Sequence, residues 1–212
     1  MYGVGMSDAA VRSRREEYAE TTREALLEAA RQLFVTEGYG QAGVEAIARA
    51  ARVTRGAFYH HFEDKAALFE ALVERLQAKA AARVRQAAAD VADPNRRLLV
   101  GAEAFLEACV APDYRRLVIE DAPAVLGAAR CRAIEDRYAI GMMVAAITDL
   151  KAAGRFGVSD PVLAARMIAA MLCEAALLIG EAEDPTPLRR AALEIVEQVF
   201  RTFSRPSPTS EP

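Results

Sequence analysis

Residues 43–65, GVEAIARAARVTRGAFYHHFEDK, decide the fold of this chain. Val44, Ile47, Ala48 and Ala51 recur at helical spacing and give a first short helix one apolar face. Arg52-Val53 interrupts that period. Thr54 is placed to cap a second helix, because its hydroxyl can accept from a free backbone N–H in the first turn. Phe58 and Phe62 lie four residues apart and face inward, which leaves Arg55, Gly56, Ala57, Tyr59 and His60 toward solvent. A short helix with a small, backbone-revealing start and Arg, Tyr and His outside suits entry into a DNA major groove. Arg55 is the candidate for a base edge, guanine O6/N7 by preference. Gly56 and Ala57 permit close approach, and Ala57 can touch a thymine methyl. Tyr59 and Lys65 are candidates for phosphates, and His60 for either role.

The stretch resembles the helix-turn-helix of the tetracycline-repressor (TetR) family of bacterial regulators. The resemblance extends upstream through TTREALLEAARQLFVTEGY (21–39) and downstream through DKAALFEALVERL (64–76). It is carried by ordered parts: the LF…GY end of a first helix, the I-A of the second, G-A-F-Y-H-H-F in the recognition helix, and the D-K that follows. Two positions depart from the family pattern. Ala42-Gly43 stands where a Thr or Ser pair is common, so a side-chain cap is missing, although Gly43 can cap modestly. Arg52 stands where Gly is frequent in the turn; if left-handed, it costs about 1 kcal/mol more than Gly, with an extra phosphate contact as the return.

The resemblance implies an all-α fold. An N-terminal three-helix helix-turn-helix DNA-binding domain is followed by a C-terminal helical ligand-binding and dimerisation domain. It further implies a homodimer that reads a two-fold operator in double-stranded DNA, and a small-molecule effector that shifts a linker helix. Repression is the expected sign, although operator position can make such a protein an activator. The boundaries are an arm over 1–19, the DNA-binding domain over 20–80 with its helix-turn-helix at 43–62, the regulatory domain over 81–203, and a Pro- and Ser-rich disordered tail over 204–212. Arg12, Arg14 and Arg15 of the arm could reach a minor groove or phosphates, or be incidental.

Composition agrees with this reading. The 212 residues are 53% apolar and 27% charged, contain no Trp, and lack alternating strand-like runs. Net charge is −3, which disfavours a non-specific nucleic-acid binder and places DNA binding on a local surface doubled by dimerisation. Cys109, Cys131 and Cys173 are too widely spaced for a disulfide framework, fit a reducing cytoplasm, and suggest no metal site. Neither a signal peptide nor a cofactor is indicated, and 167–180 with its Glu174 reads as too short to span a membrane.

Further along, helices are expected over Thr21–Glu37, from Asp64 through Leu76 and on toward Ala92, over Arg96–Val110, Ile134–Ala153, Asp160–Glu183 and Leu188–Phe203. Pro123 must kink or break its pattern, and Asp121–Gly127 is either a cavity wall or a simple interhelical turn. The last two helices, about 161–183 and 188–203, are apolar over more than one face and predict a four-helix interface between two copies. Candidate effector contacts are Phe105, Asp121, Tyr138, Met142, Met143 and Glu174, with the methionines equally readable as core filler. Glu174 in its apolar helix needs an arginine across a dimer, a cationic ligand, or water at an interface edge. No catalytic set is present, since both histidines, His60 and His61, lie in the recognition helix. The competing readings are a helical interaction protein that has lost DNA binding and, behind it, an enzyme.

Overall fold

The computed structural model describes residues 14–204. The arm expected over 1–19 lies outside these up to residue 13, and the tail lies outside them from 205. The described residues contain helices and no strand; one isolated antiparallel bridge joins Phe156 and Ser204. They form two compact units that divide between Leu68 and Phe69.

In the first unit, α1 (Arg14–Glu37) begins seven residues before the expected Thr21, so residues 14–19 of the expected arm are helical. It is followed by α2 (Val44–Ala50) and α3 (Arg55–His61). Leu26, Leu27, Ala30 and Phe34 of α1 close over Ile47 and Ala48 of α2 and Phe58 of α3, all essentially inaccessible to solvent. Phe62, just past α3, completes this core, its ring 5.9 Å from that of Phe58 and capped by the Arg23 guanidinium at 5.2 Å. Asp64 caps α4 (Lys65–Ala88), with its Oδ1 accepting from Ala67 N–H at 2.7 Å. This helix is continuous and runs on into the second unit.

The second unit holds α5 (Pro94–Val110), α6 (Pro112–Tyr114), a π-helical turn (Arg115–Asp121), α7 (Ala122–Leu126), α8 (Ala128–Arg137), α9 (Ala139–Ala152), α10 (Pro161–Glu181) and α11 (Pro185–Phe203). Three Asp-Pro pairs open α5, α10 and α11. Asp93, Asp160 and Asp184 each accept a first-turn N–H, while the following Pro occupies a position that needs no donor. The break forced by Pro123 is spread over the π-turn, where Ala122 N–H bonds Leu117 C=O five residues back. The single helix expected over 134–153 is two helices, hinged at Tyr138 (φ −122°, ψ −131°). Gly141 makes that hinge possible: a Cβ there would overlap the Asp136 carbonyl. Buried Phe105, Leu106, Ile147, Ile168, Leu172, Ile179, Val196 and Phe200 tie α5, α9, α10 and α11 into one core.

At 21 residues, α10 is long and apolar enough by length and composition to cross a bilayer, which corrects the estimate from 167–180 alone; the run extends back through Pro161–Arg166. Its Ala165, Ile168, Leu172 and Ile179 belong to the core. The apolar surplus emerges on the opposite side, where Val162, Leu163, Met167 and Leu178 of α10 and Leu188 and Ile195 of α11 are exposed.

Candidate nucleic-acid interface

Two turns with the same hydrogen bonds shape this chain, one with glycine at the critical position and one without. After α9, Gly154 is left-handed (φ 69°); its N–H bonds Lys151 C=O at 2.9 Å and Arg155 N–H bonds Leu150 C=O at 2.9 Å. This is the Schellman arrangement that satisfies the last carbonyls of a helix. After α2 the arrangement recurs: Arg52 N–H bonds Arg49 C=O at 3.0 Å and Val53 N–H bonds Ala48 C=O at 2.9 Å. Here the left-handed residue is Arg52 (φ 58°), the one non-glycine with positive φ among the described residues. The turn thus has the conformation that favours glycine, and it holds an exposed guanidinium on its outside.

The turn delivers the chain to Thr54, whose Oγ1 accepts from Ala57 N–H at 3.1 Å and starts α3. Gly43 sits at the N-cap of α2 without a side-chain hydrogen bond, as its lack of a hydroxyl requires. Phe58 is fully buried and Phe62 nearly so; Arg55, Gly56, Tyr59 and His60 are exposed, and Ala57 is half-buried. A Cβ at Gly56 would meet only Thr54 Oγ1, at an ordinary 3.7 Å. Nothing in the protein demands glycine there, although glycine weakens a helix by about 1 kcal/mol relative to alanine. The bare backbone is explained if something from outside must come close.

Arg55 does not wave freely. Its Nη1 donates to Glu45 Oε1 at 2.8 Å, and its guanidinium lies 5.6 Å from the centre of the Tyr59 ring. The Tyr59 hydroxyl, followed by Glu45, raises its pKa above the ordinary arginine value. With 60% and 75% of the two side chains accessible, the ion pair is readily exchanged for a stronger partner. Glu45 is a participant that local periodicity did not reveal, because it reaches Arg55 across the turn from a different helix.

Lys65 is placed differently from the others. Its Nζ donates to Tyr39 C=O at 2.8 Å and sits 4.3 Å from the centre of the Tyr39 ring, so it is half-buried and fastens the loop after α1 to the start of α4. An ammonium has three donors, and those beyond the Tyr39 bond are what it has to offer a phosphate. His61, half-buried beside His60 and Arg23, has its pKa lowered, first by desolvation and then by its electrostatic interaction with these neighbours.

The second unit has a half-open cavity of about 590 Å³. Val84 and Ala88 of α4, Leu98 and Phe105 of α5, and Met142 and Met143 of α9 supply apolar walls, with Arg97, Asp149 and Arg155 as the charged lining. Of the six expected effector contacts, Phe105, Met142 and Met143 are here. Asp121 instead pairs with Arg116 at 3.1 Å, and no residue of 121–127 lines this cavity; the segment is the end of the π-turn followed by α7 and its C-cap Gly127, neither the wall of this cavity nor a simple turn. Tyr138 forms the α8–α9 hinge beneath Arg137. Glu174 lies exposed in a separate apolar groove of about 700 Å³ between α10 and α11.

A capped turn, a buried aromatic pair and an exposed face of Arg55, Gly56, Tyr59 and His60 give α2 and α3 the geometry of a helix-turn-helix. Residues 26–72 match the model for bacterial regulatory proteins of the tetR family, and 95–203 match the tetracyclin repressor-like C-terminal domain. The chain belongs to the tetracycline-repressor family and is a DNA-binding transcriptional regulator. It is 49% identical over 57 residues to the transcriptional repressor BepR of Brucella suis, covering 27% of each chain. It is 38% identical over 68 residues to the regulator UidR of Escherichia coli, covering 32% of this chain and 35% of that one. These matches therefore span only about a quarter to a third of either relative. A tetR-family regulator from Pectobacterium atrosepticum matches throughout, with 31% identity, 93% of this chain and 100% of that chain covered, and a TM-score of 0.71.

Proposed function

We propose that the protein is a ligand-responsive repressor that binds a two-fold operator as a homodimer and is released by a small-molecule effector. The observation that carries the DNA half is the outer face of α3: exposed Arg55, Tyr59 and His60 beside a Gly56 that the protein itself does not need. Arg55 exchanges Glu45 for a base edge, Thr54 and Ala57 line the approach, and Tyr59, His60 and Lys65 set register on phosphates. The dimer half is supported by six large apolar side chains exposed on α10 and α11 together, a surface that two copies bury as a four-helix interface. Glu174 sits within that surface, where it meets a basic residue of the second copy or water at the edge.

The effector site is the cavity of the second unit. Its wall includes Val84 and Ala88 of α4, the helix whose first residue is Lys65, so ligand and operator bias one element. A protein acting on DNA in this way works in the cytoplasm and catalyses nothing. The test is a salt-dependent titration against the intergenic DNA beside its own gene, with random duplex as control. Specific binding at least about a hundredfold tighter than random is expected. Equal, steeply salt-dependent binding to both duplexes refutes an operator at that locus.

A further inference from the structure

Glu45 is the one acidic side chain between Gly43 and Phe62, a stretch that carries Arg49, Arg52 and Arg55. It stands in the first turn of α2 with Arg49 four residues on, the spacing at which a glutamate and an arginine meet along one helix. It crosses the turn instead. Its Oε1 accepts from Arg55 Nη1 at 2.8 Å, ten residues away at the start of α3. On its other side the Arg55 guanidinium faces the Tyr59 ring. Both members of the ion pair are mostly open to water, and a pair so exposed adds little to stability. The fold therefore does not account for a carboxylate in this place. The carboxylate also subtracts one charge from a surface that has to meet a polyanion. Its effect on Arg55 does account for it.

A guanidinium free to swing takes whichever acceptor it meets first. Phosphate oxygens are charged and line the whole duplex, whereas guanine O6 and N7 accept the same two parallel N–H bonds and carry no net charge. A carboxylate beside Arg55 tells these apart, because it repels a phosphate and does not repel a neutral base edge. We infer that Glu45 is a specificity-determining residue, which holds Arg55 off the phosphates and gives it up to guanine. Arg49 and Arg52, exposed and not held by Glu45, remain for the phosphates. This inference rests on the proposed reading of α3 as the groove-entering helix with Arg55 on a base edge.

The test titrates the full chain against two duplexes, one selected by the wild-type protein from a randomised pool and one of random sequence, from about 50 to 200 mM salt. Glu45→Gln keeps the length and helix propensity of the side chain and removes its charge. Random duplex should then bind about three- to tenfold tighter, with a salt slope steeper by about 0.9, the mark of one added phosphate contact. On the selected duplex the slope should hold and the gain should stay under about twofold, so the ratio of the two affinities falls. In an Arg55→Ala background, Glu45→Gln should leave the random-duplex slope unmoved, because the arginine that would swing is gone. Both side chains are exposed, so melting temperatures should hold in every variant. The inference is overturned if Glu45→Gln shifts both duplexes alike or moves neither slope. It is equally overturned if the slope steepens as much without Arg55, which would make Glu45 a bare surface charge. Selection of no duplex refutes the base-edge reading and the inference with it, whereas selection followed by equal shifts refutes the inference alone.

Discussion

Replacing Arg52 by glycine should make the protein more stable and worse at binding DNA. At φ 58° the Arg52 backbone is in the left-handed region, where an L-residue costs about 1–2 kcal/mol. Glycine removes that cost but enlarges the unfolded ensemble, giving back about 0.4–1 kcal/mol. The side chain is exposed, so its packing loss is small. The net gain is about 1 kcal/mol, or about 2–4 °C in Tm if the chain melts as one body and about 4–8 °C if the helix-turn-helix unit melts alone. The assay is urea denaturation, with the gain appearing in the midpoint at unchanged m. Arg52→Ala is the control, since it deletes the guanidinium but keeps the Cβ and the strain. If alanine stabilises as much as glycine, the relief comes from charge and the backbone argument fails; if glycine destabilises, the turn is not strained. Losing the guanidinium should lower affinity for operator and random duplex alike and reduce the salt slope by about 0.9.

The remaining expectations bear on the reading head, the apolar surface and the hinge. Arg55→Ala should cost about 1–3 kcal/mol on operator and relax specificity at one base pair; equal losses on random DNA would exclude a base contact. Lys65→Ala should weaken all duplexes alike and, because Lys65 also holds Tyr39 C=O, lower the melting temperature as well; unchanged stability would show that bond to be idle. Leu178→Asp, at a side chain half-exposed on α10, should yield a monomer in sedimentation without loss of helicity; a persistent dimer places the interface elsewhere. Gly141→Ala should destabilise by about 1–3 kcal/mol, since its Cβ collides with the Asp136 carbonyl at the α8–α9 hinge; a neutral substitution means the hinge opens easily.

The helix-turn-helix was legible because its signals are local: the caps by Thr54 and Asp64, the Phe58–Phe62 spacing and the exposed face all lie within 23 contiguous residues. The Asp-Pro signal shows how a rule can be used too sparingly. It placed the start of α10, yet the same dipeptide at 93–94 and 184–185 opens α5 and α11 two and three residues before the starts read from apolar periodicity. Periodicity reports the first residue that packs, whereas the cap marks the first that turns. Pro123 announced a break, but not that a π-turn upstream would absorb it. The cavity was half legible. Phe105, Met142 and Met143 stood out as large apolar residues, but Arg97 and Arg155 look like surface charges until α4, α5 and α9 bring their neighbours together. Glu174 attracted notice as an acid in an apolar helix and is exposed to water, whereas Asp121 is largely buried and is satisfied by Arg116.

The continuity of α4 has a mechanical consequence. Nineteen residues separate Lys65 from Val84, a rod of about 28 Å at the rise of an α-helix. Pivoting such a rod by about 5° displaces its far end by roughly 2–3 Å. In a symmetric pair the two displacements can add to about 5 Å, more than the 3.4 Å between successive base pairs. On the proposed reading of a ligand-responsive dimer, a small side-chain rearrangement at Val84 would be geared up into a mismatch of more than one base pair between the two copies. Sensitivity to a modest ligand would then come from the length of the lever and not from the size of the conformational change.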